Sequence, residues 1–204
     1  MALNKKGMLA ALVTALIALA NPASAIDFTN VAFIQTASGT TSIPVGHLEF
    51  CKSRPAECRA YDRVEPAMVL TEANWQQLVS VNTYYNQTIV PVTDMELYQV
   101  EEFWTYPNGY GDCEDFALIK RRDLIAAGWH PSTLMIAVVK EANGNGHAVL
   151  IARTDRGDLV LDNQEGSIKL WSDTPYKYVK RQSQAHAGQW VDMIDDRVTI
   201  IAAN

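Results

Sequence analysis

The sequence predicts an α+β domain in which helices pack on an antiparallel sheet. Two stretches, residues 71–86 and 113–127, have apolar positions spaced three and four apart, as in amphipathic helices. Three strand-like runs follow at residues 133–140, 147–153 and 158–162, separated by short turns that contain glycine. Helices followed by hairpin-connected strands are typical of an α+β fold with one core.

The first 25 residues are expected to be a secretory signal peptide, followed by one domain over residues 26–204. Lys5 and Lys6 form a short basic start, and residues 8–20 are an apolar run too short to cross a bilayer comfortably. Ala25 ends a small-x-small cleavage site. An uncleaved membrane anchor is the alternative, whereas cleavage after Ala25 predicts an exported protein with no membrane insertion.

The net charge of the chain is negative both with and without the expected signal peptide. The chain has 17 basic and 23 acidic residues, and its net charge is −6. Cleavage after Ala25 would remove two lysines and no acid, which leaves 15 basic against 23 acidic residues and a charge of −8. An acidic domain without a basic cluster argues against nucleic acid or anionic lipid as a partner.

The segment before the first helix is expected to be irregular. Residues 26–41 predict one strand at residues 31–35. Residues 43–50 contain a proline and a glycine, which predict a loop packed on the domain. His47 in this loop is expected to have a structural role, at the surface or in the core, rather than a catalytic one.

The three cysteines divide into a pair and a single residue. Export implies an oxidising compartment. Cys51 and Cys58 lie seven residues apart and can close a small disulfide loop, with Pro55 favouring the turn. The expected stabilisation is about 2–3 kcal/mol, because the loop is short. Cys113 is then unpaired, and such a thiol is buried and inert, paired between chains, or reactive.

The first helix is expected to begin after Thr71, a favourable N-cap residue, and to end near Tyr85 or Asn86. Residues 89–92 then predict an extended connection. Residues 94–98 predict a single helical turn.

The second helix has acids at its start and a glycine, Gly128, just beyond its end. Its solvated face is expected to carry Lys120, Arg121, Arg122 and Asp123. After Gln164 the pattern weakens, and residues 197–202 predict a last strand. The large aromatic residues of this part are expected in the core or at its rim: Trp171, Tyr176, Tyr178 and Trp190.

The start of the second helix has the strongest functional signal. Two glycines lead into Cys113, which the pattern places at the helix N-terminus, where backbone N–H groups and the helix dipole favour a thiolate. Three carboxylates in the same turn, Asp112, Glu114 and Asp115, oppose that effect. A reactive thiol in this turn therefore requires a positive charge nearby.

His147 and Asp162 complete the pattern of a cysteine hydrolase. His147 opens the second predicted strand and Asp162 closes the third. In an antiparallel hairpin the start of one strand lies beside the end of the next, so the two side chains should meet. The helix that carries Cys113 can bring its N-terminus to the same end, and this makes a Cys–His–Asp triad.

These residues carry a resemblance to a known family. Residues 111–115 before a helix, a Gly-His147 step at a strand start, and Asp162 between leucine and asparagine resemble the bacterial transglutaminase-like cysteine peptidases, which include LapG-type periplasmic proteases. The signal peptide and the Cys51–Cys58 loop also resemble the corresponding parts of proteins in this family. The resemblance covers about residues 50–162.

The resemblance implies a papain-like or transglutaminase-like core with defined roles for its residues. Cys113 would be the nucleophile, His147 the general base and Asp162 the orienting carboxylate. In LapG-type enzymes the acids beside the cysteine bind calcium, on which proteolysis depends, and the matching residues are Asp112, Glu114 and Asp115. Calcium takes six to eight oxygen ligands, so carbonyl groups and water would have to contribute. Stabilisation of the helix dipole is the alternative role of these acids.

The resemblance also implies a location and partners. The protein would be a calcium-dependent endopeptidase of the periplasm that cleaves a large surface adhesin near its N-terminus, as in biofilm control. An inner-membrane receptor would regulate its access to that substrate.

Three other functions are compatible with the residues. The same triad could transfer an acyl group to an amine, which would make the protein a transglutaminase. A non-catalytic, calcium-stabilised periplasmic binding domain with a buried Cys113 is the second. A zinc site at Cys113 and His147 is the weakest, because no paired-cysteine or paired-histidine spacing supports it.

Overall fold

The computed structural model of the protein describes residues 33–197. The expected signal peptide and its cleavage site after Ala25 lie outside this part of the chain, and they stay predictions. Residues 31 and 32 of the first expected strand and residues 198–202 of the last one also lie outside it. Among the described residues, no helix combines the length and apolar character needed to cross a membrane.

The fold is a mixture of helices and an antiparallel sheet, as the sequence predicted. The helices are α1 (Val45–Ser53), α2 (Glu72–Thr88), α3 (Asp94–Tyr98) and α4 (Cys113–Ala126). The strands are β1 (Gln35–Thr36), β2 (Val90–Pro91), β3 (Tyr110–Gly111), β4 (Leu134–Lys140), β5 (Gly146–Thr154), β6 (Gly157–Leu161), β7 (Lys169–Leu170), β8 (Lys177–Ser183) and β9 (His186–Ile194). Seven of them form one sheet in the order β1-β9-β8-β4-β5-β6-β7, and β2 pairs with β3 in parallel.

Helix α4 packs on the sheet and determines where its N-terminus lies. Leu118 and Leu124 of α4 share an apolar cluster with Leu150 of β5 and Leu78 of α2. Gly128 follows the helix with a φ of +102°, a left-handed conformation that glycine adopts without a steric penalty. The helix therefore has the start and the end that the sequence predicted.

The expected solvated face of α4 is wrong for two of its four residues. Lys120 and Arg121 are buried. The Lys120 ammonium donates a hydrogen bond to Asn82 Oδ1 at 2.8 Å, and Arg121 Nε donates to the Leu134 carbonyl at 3.0 Å. Because α2 covers α4 on one side and the sheet covers it on another, long basic side chains lie between elements and are paired there.

The expected loop at residues 43–50 is also wrong, because most of it lies in α1. Pro44 is the N-cap residue, where its missing N–H is not needed by the helix. At Gly46, an added Cβ would lie 2.2 Å from Trp104 Cδ1, so the glycine serves close packing rather than a turn. His47 lies in the core and accepts a hydrogen bond from Trp190 Nε1 at 3.0 Å, and burial lowers its pKa to about 4.

The predicted disulfide is confirmed. Cys51 and Cys58 are bonded, with their Cα atoms 5.5 Å apart, and they join α1 to the 3-10 turn Pro55–Cys58. Cys113 is free.

The β8–β9 hairpin is the part of the sheet that the sequence pattern did not reveal. Arg181 and Gln182 are adjacent in β8 and both buried, and the pairing with β9 shifts register after Gln182. Two consecutive buried polar residues hide the alternation that identifies a strand. Of the aromatic residues expected in the core or at its rim, Tyr176, Tyr178 and Trp190 are buried and Trp171 is half-buried.

Candidate active site

Cys113 is the first residue of α4, at the floor of a surface cleft. Its Sγ accepts a hydrogen bond from the Ala148 N–H at 3.3 Å and donates one to Glu114 Oε2 at 3.2 Å. The preceding Gly111 is required by close packing, since a Cβ there would lie 2.7 Å from Asp115 Oδ2. This tight turn directs the thiol towards the start of β5.

His147 and Asp162 meet at the open end of the β5–β6 hairpin, as their positions in the sequence predicted. The pairing of Leu150 with Leu161 places both residues at this end. His147 Nε2 lies 2.9 Å from Asp162 Oδ1, and both side chains are almost fully buried. With Nε2–H donating to the carboxylate, the other ring nitrogen, Nδ1, is left as the basic atom. It lies 3.4 Å from the Gln164 side-chain amide.

The Asp162 carboxylate has a full set of hydrogen-bond donors. Oδ1 also accepts from the Gln164 backbone N–H at 2.9 Å, and Oδ2 accepts from the Tyr176 hydroxyl. Burial by itself would raise the pKa of Asp162, but the hydrogen bonds from His147 and Tyr176 outweigh it and lower that pKa. The protein therefore stabilises this carboxylate in its charged form.

Cys113 and His147 line the same cleft, which has a volume of about 460 Å³. Its walls come from the start of α1, the segment before β3, the second half of β4 and the middle of β8. Residues of these walls are Val45, Glu102, Trp104, Val138 and Lys180. The thiol therefore opens into a cleft that combines apolar side chains with the charged side chains of Glu102 and Lys180.

The carboxylates near Cys113 form a cluster that differs from the expected set. Ligand atoms of Asp94, Asp112 and Glu114 lie within 4.8 Å of one another. Asp115 lies beside this cluster: its Oδ1 accepts the Thr105 N–H at 2.8 Å, and its Oδ2 is buried without a partner in the described chain. Asp94 was missed because it lies 18 residues before Asp112, at the start of α3, where an acid is usual in any helix.

The electrostatics of this acidic cluster are unfavourable in the protein alone. Burial and the charge of Asp112 raise the pKa of Glu114 to about 9, and burial raises the pKa of Asp94 and Asp112. Burial raises the pKa of Asp115 to about 8. Burial and the Glu114 charge also raise the pKa of the Cys113 thiol well above its ordinary value.

The cluster fits a hard divalent cation. Asp94 Oδ1, Asp112 Oδ1 and Asp115 Oδ2 are buried and have no hydrogen-bond partner within residues 33–197. All of the side-chain atoms that could bind the ion are carboxylate oxygens, the type of ligand that calcium prefers. A cation between them would supply the positive charge that this turn lacks.

A helix-borne thiol that shares a cleft with the histidine of a buried histidine–aspartate pair is the arrangement found in cysteine hydrolases. The model of one family, described as bacterial transglutaminase-like cysteine proteinase, matches residues 37–198. The chain belongs to this family.

Solved structures of one protein, Legionella pneumophila LapG, are similar to this chain. Its calcium-bound form is 28% identical with a TM-score of 0.51, and the match covers 62% of this chain and 75% of that one. Its EGTA-treated form is 29% identical with a TM-score of 0.49, over 61% of this chain and 69% of that one. No curated protein matches the sequence.

Proposed function

We propose that the protein is an exported, calcium-dependent cysteine endopeptidase with Cys113 as nucleophile, His147 as general base and Asp162 as the orienting carboxylate. The observation that carries the proposal is the buried 2.9 Å contact between His147 and Asp162 beside a cleft that also holds the Cys113 thiol. Membership of a cysteine peptidase family supports the same chemistry.

The proposed reaction begins with transfer of the thiol proton from Cys113 to His147 Nδ1. The thiolate attacks a peptide carbonyl, while the Ala148 N–H, 3.3 Å from the sulfur, stabilises its charge before attack. The Cys113 N–H at the start of α4 stabilises the oxyanion that forms. His147 then protonates the leaving amine, and water hydrolyses the acyl-enzyme.

Calcium would be held by Asp94, Asp112 and Glu114, together with carbonyl groups or water. When bound, it supplies positive charge that cancels much of the carboxylate field around the thiol. Asp115 is a fourth proposed ligand, because its Oδ2 is buried without a hydrogen-bond partner among the described residues, while its Oδ1 accepts the Thr105 N–H. Similarity to the calcium-bound form of LapG supports a role for calcium in this chain.

The location and the partners are proposals from the family resemblance and the N-terminal sequence. The signal peptide expected before Ala25 supports the periplasm. The substrate would be a surface protein such as a large adhesin, cut near its N-terminus, with an inner-membrane receptor controlling access. The acidic chain, with a net charge of −6, supports neither a nucleic acid nor an anionic membrane as the partner.

The experiment that tests the proposal is incubation of the protein with periplasmic and outer-membrane proteins, with calcium or with a chelator. We expect cleavage with calcium and little without it. Cys113→Ala and the near-isosteric Cys113→Ser should both abolish cleavage and leave the thermal midpoint nearly unchanged. Full activity in Cys113→Ala would refute the assignment.

Adding a primary amine to the same incubation separates hydrolysis from acyl transfer. Isopeptide products in place of new N-termini would identify a transglutaminase with the same triad. Slow alkylation of Cys113 by iodoacetamide, together with no cleavage, would identify the non-catalytic domain.

A further inference from the structure

The second oxygen of the Asp162 carboxylate has a partner that the catalytic pattern does not include. His147 and the Gln164 N–H both contact Oδ1, whereas the Tyr176 hydroxyl donates to Oδ2. Tyr176 lies 14 residues further along the chain, just before β8. One tyrosine thereby supports the carboxylate oxygen that the imidazole does not contact.

The ring of Tyr176 also contacts the histidine. The two ring centroids are 5.4 Å apart with planes inclined by 53°. The tyrosine ring is buried in an apolar cluster with Val149 of β5 and Val160 of β6, the two strands that lead to His147 and Asp162. Its position is therefore defined by the sheet and not by the cleft.

We propose that Tyr176 is a positioning residue of the active site, whose hydroxyl orients the Asp162 carboxylate and whose ring fixes the plane of the His147 imidazole. This inference rests on the proposed function, because it assigns Tyr176 a part in presenting His147 Nδ1 to Cys113. Burial and the hydrogen bond to Asp162 raise the pKa of Tyr176. The hydroxyl thus keeps its proton and remains a donor at neutral pH.

Tyr178, two residues further along in β8, provides a matched control. It is also buried, but its hydroxyl lies 3.1 Å from Thr174 Oγ1 and its ring contacts Trp171. Tyr176→Phe and Tyr178→Phe each remove one hydroxyl from a buried ring. They differ in whether that hydroxyl donates to Asp162.

The first measurement is the rate of alkylation of Cys113 by iodoacetamide in the calcium-loaded full chain. We expect Tyr176→Phe to lower the rate about tenfold, the size of effect of one hydrogen bond to a charged group, and Tyr178→Phe to leave it within about twofold. In an Asp162→Asn background, Tyr176→Phe should have little further effect, because the hydroxyl then has no charged acceptor to orient. Additive losses in the double variant would overturn the proposal.

The second measurement is the proton NMR signal of the His147 Nε2–H, which a packing role would not change. Tyr176→Phe should broaden this signal or speed its exchange with water, and Tyr178→Phe should leave it as in the unaltered protein. An unchanged signal and alkylation rate in Tyr176→Phe would refute the inference.

The two measurements also separate this inference from the proposed function. If Cys113 in the unaltered chain reacts no faster than in the urea-unfolded chain, the proposed function fails, while the NMR comparison still reports whether Tyr176 orients the pair. If Tyr176→Phe lowers the thermal midpoint strongly, the cycle with Asp162→Asn is measured at a temperature where all variants are folded. Equal effects of Tyr176→Phe and Tyr178→Phe would then show packing alone and overturn the inference.

Discussion

The two sides of the Cys113 cleft treat their carboxylates in opposite ways. Asp162 accepts hydrogen bonds from His147, the Gln164 N–H and Tyr176, and its pKa is lowered. Glu114, equally buried, faces other acids, and its pKa is raised to about 9. The comparison shows that burial does not decide the charge of a carboxylate here; the number of donors around it does.

The two sides of the cleft therefore obtain the partners of their carboxylates in different ways. On the side of Asp162 the fold alone completes the hydrogen bonding, since side chains and backbone supply every donor that the carboxylate uses. The side of Glu114 contains buried oxygens of Asp94 and Asp112 without partners in the described chain, and it is completed only by a cation or by protons. We therefore expect one side to be insensitive to calcium and the other to depend on it.

The largest effect is expected from Asp162→Asn, which removes the carboxylate charge on the side where the hydrogen bonding is complete. An asparagine is uncharged and can turn its NH2 group towards His147, so the correct tautomer is no longer held and kcat/KM should fall about a thousandfold or more. Calcium should still raise the thermal midpoint of this variant, since its acidic cluster is intact. Activity within tenfold of the unaltered protein would contradict the role of Asp162.

A smaller effect is expected from Asp94→Asn, which alters the incomplete side. Replacing one of three clustered carboxylates should weaken calcium binding about tenfold or more, measured by calorimetry. Without calcium the variant should be at least as stable as the parent chain, because like-charge repulsion is relieved. The exposed Asp62→Asn is the control and should change neither quantity. Unaltered calcium affinity in Asp94→Asn would remove Asp94 from the site.

The third prediction is a pH dependence of stability in the metal-free protein. Because the pKa of Glu114 is raised from 4.5 to about 9 by folding, the folded chain binds more protons than the unfolded chain between these values. The free energy of unfolding should therefore fall as pH rises from about 5 to 9, by up to about 1.4 kcal/mol per pH unit for one such group.

Urea unfolding at several pH values, with chelator and with calcium, measures this dependence. Calcium should flatten it, because the bound ion takes the place of the protons. A flat profile in the presence of chelator would contradict the unfavourable electrostatics of the acidic cluster.

Local sequence patterns predicted the parts of the site that lie on regular elements. The periodicity from Cys113 onward, the glycine at 128 and the turns around β5 and β6 determined α4 and the hairpin. The meeting of His147 with Asp162 followed from strand register alone, because both positions lie at the open end of one hairpin.

Contacts between distant segments could not be predicted in the same way. The loop expected at residues 43–50 became α1 because Gly46 packs against Trp104, and the Lys120 ammonium is buried because α2 supplies the Asn82 acceptor. Neither contact leaves a periodic signal, since each partner lies tens of residues away.

The sequence by itself determined the thiol at a helix start, the acids beside it, the histidine–aspartate pair and the disulfide. Only the tertiary structure decided that Asp94 joins Asp112 and Glu114, and which side chain supports Asp162. The physical reason is that charge and hydrogen bonding act over a few ångströms in space, whatever the separation along the chain. Tyr176 and Asp94 come to the site through the packing of β8 and α3, which no local pattern encodes.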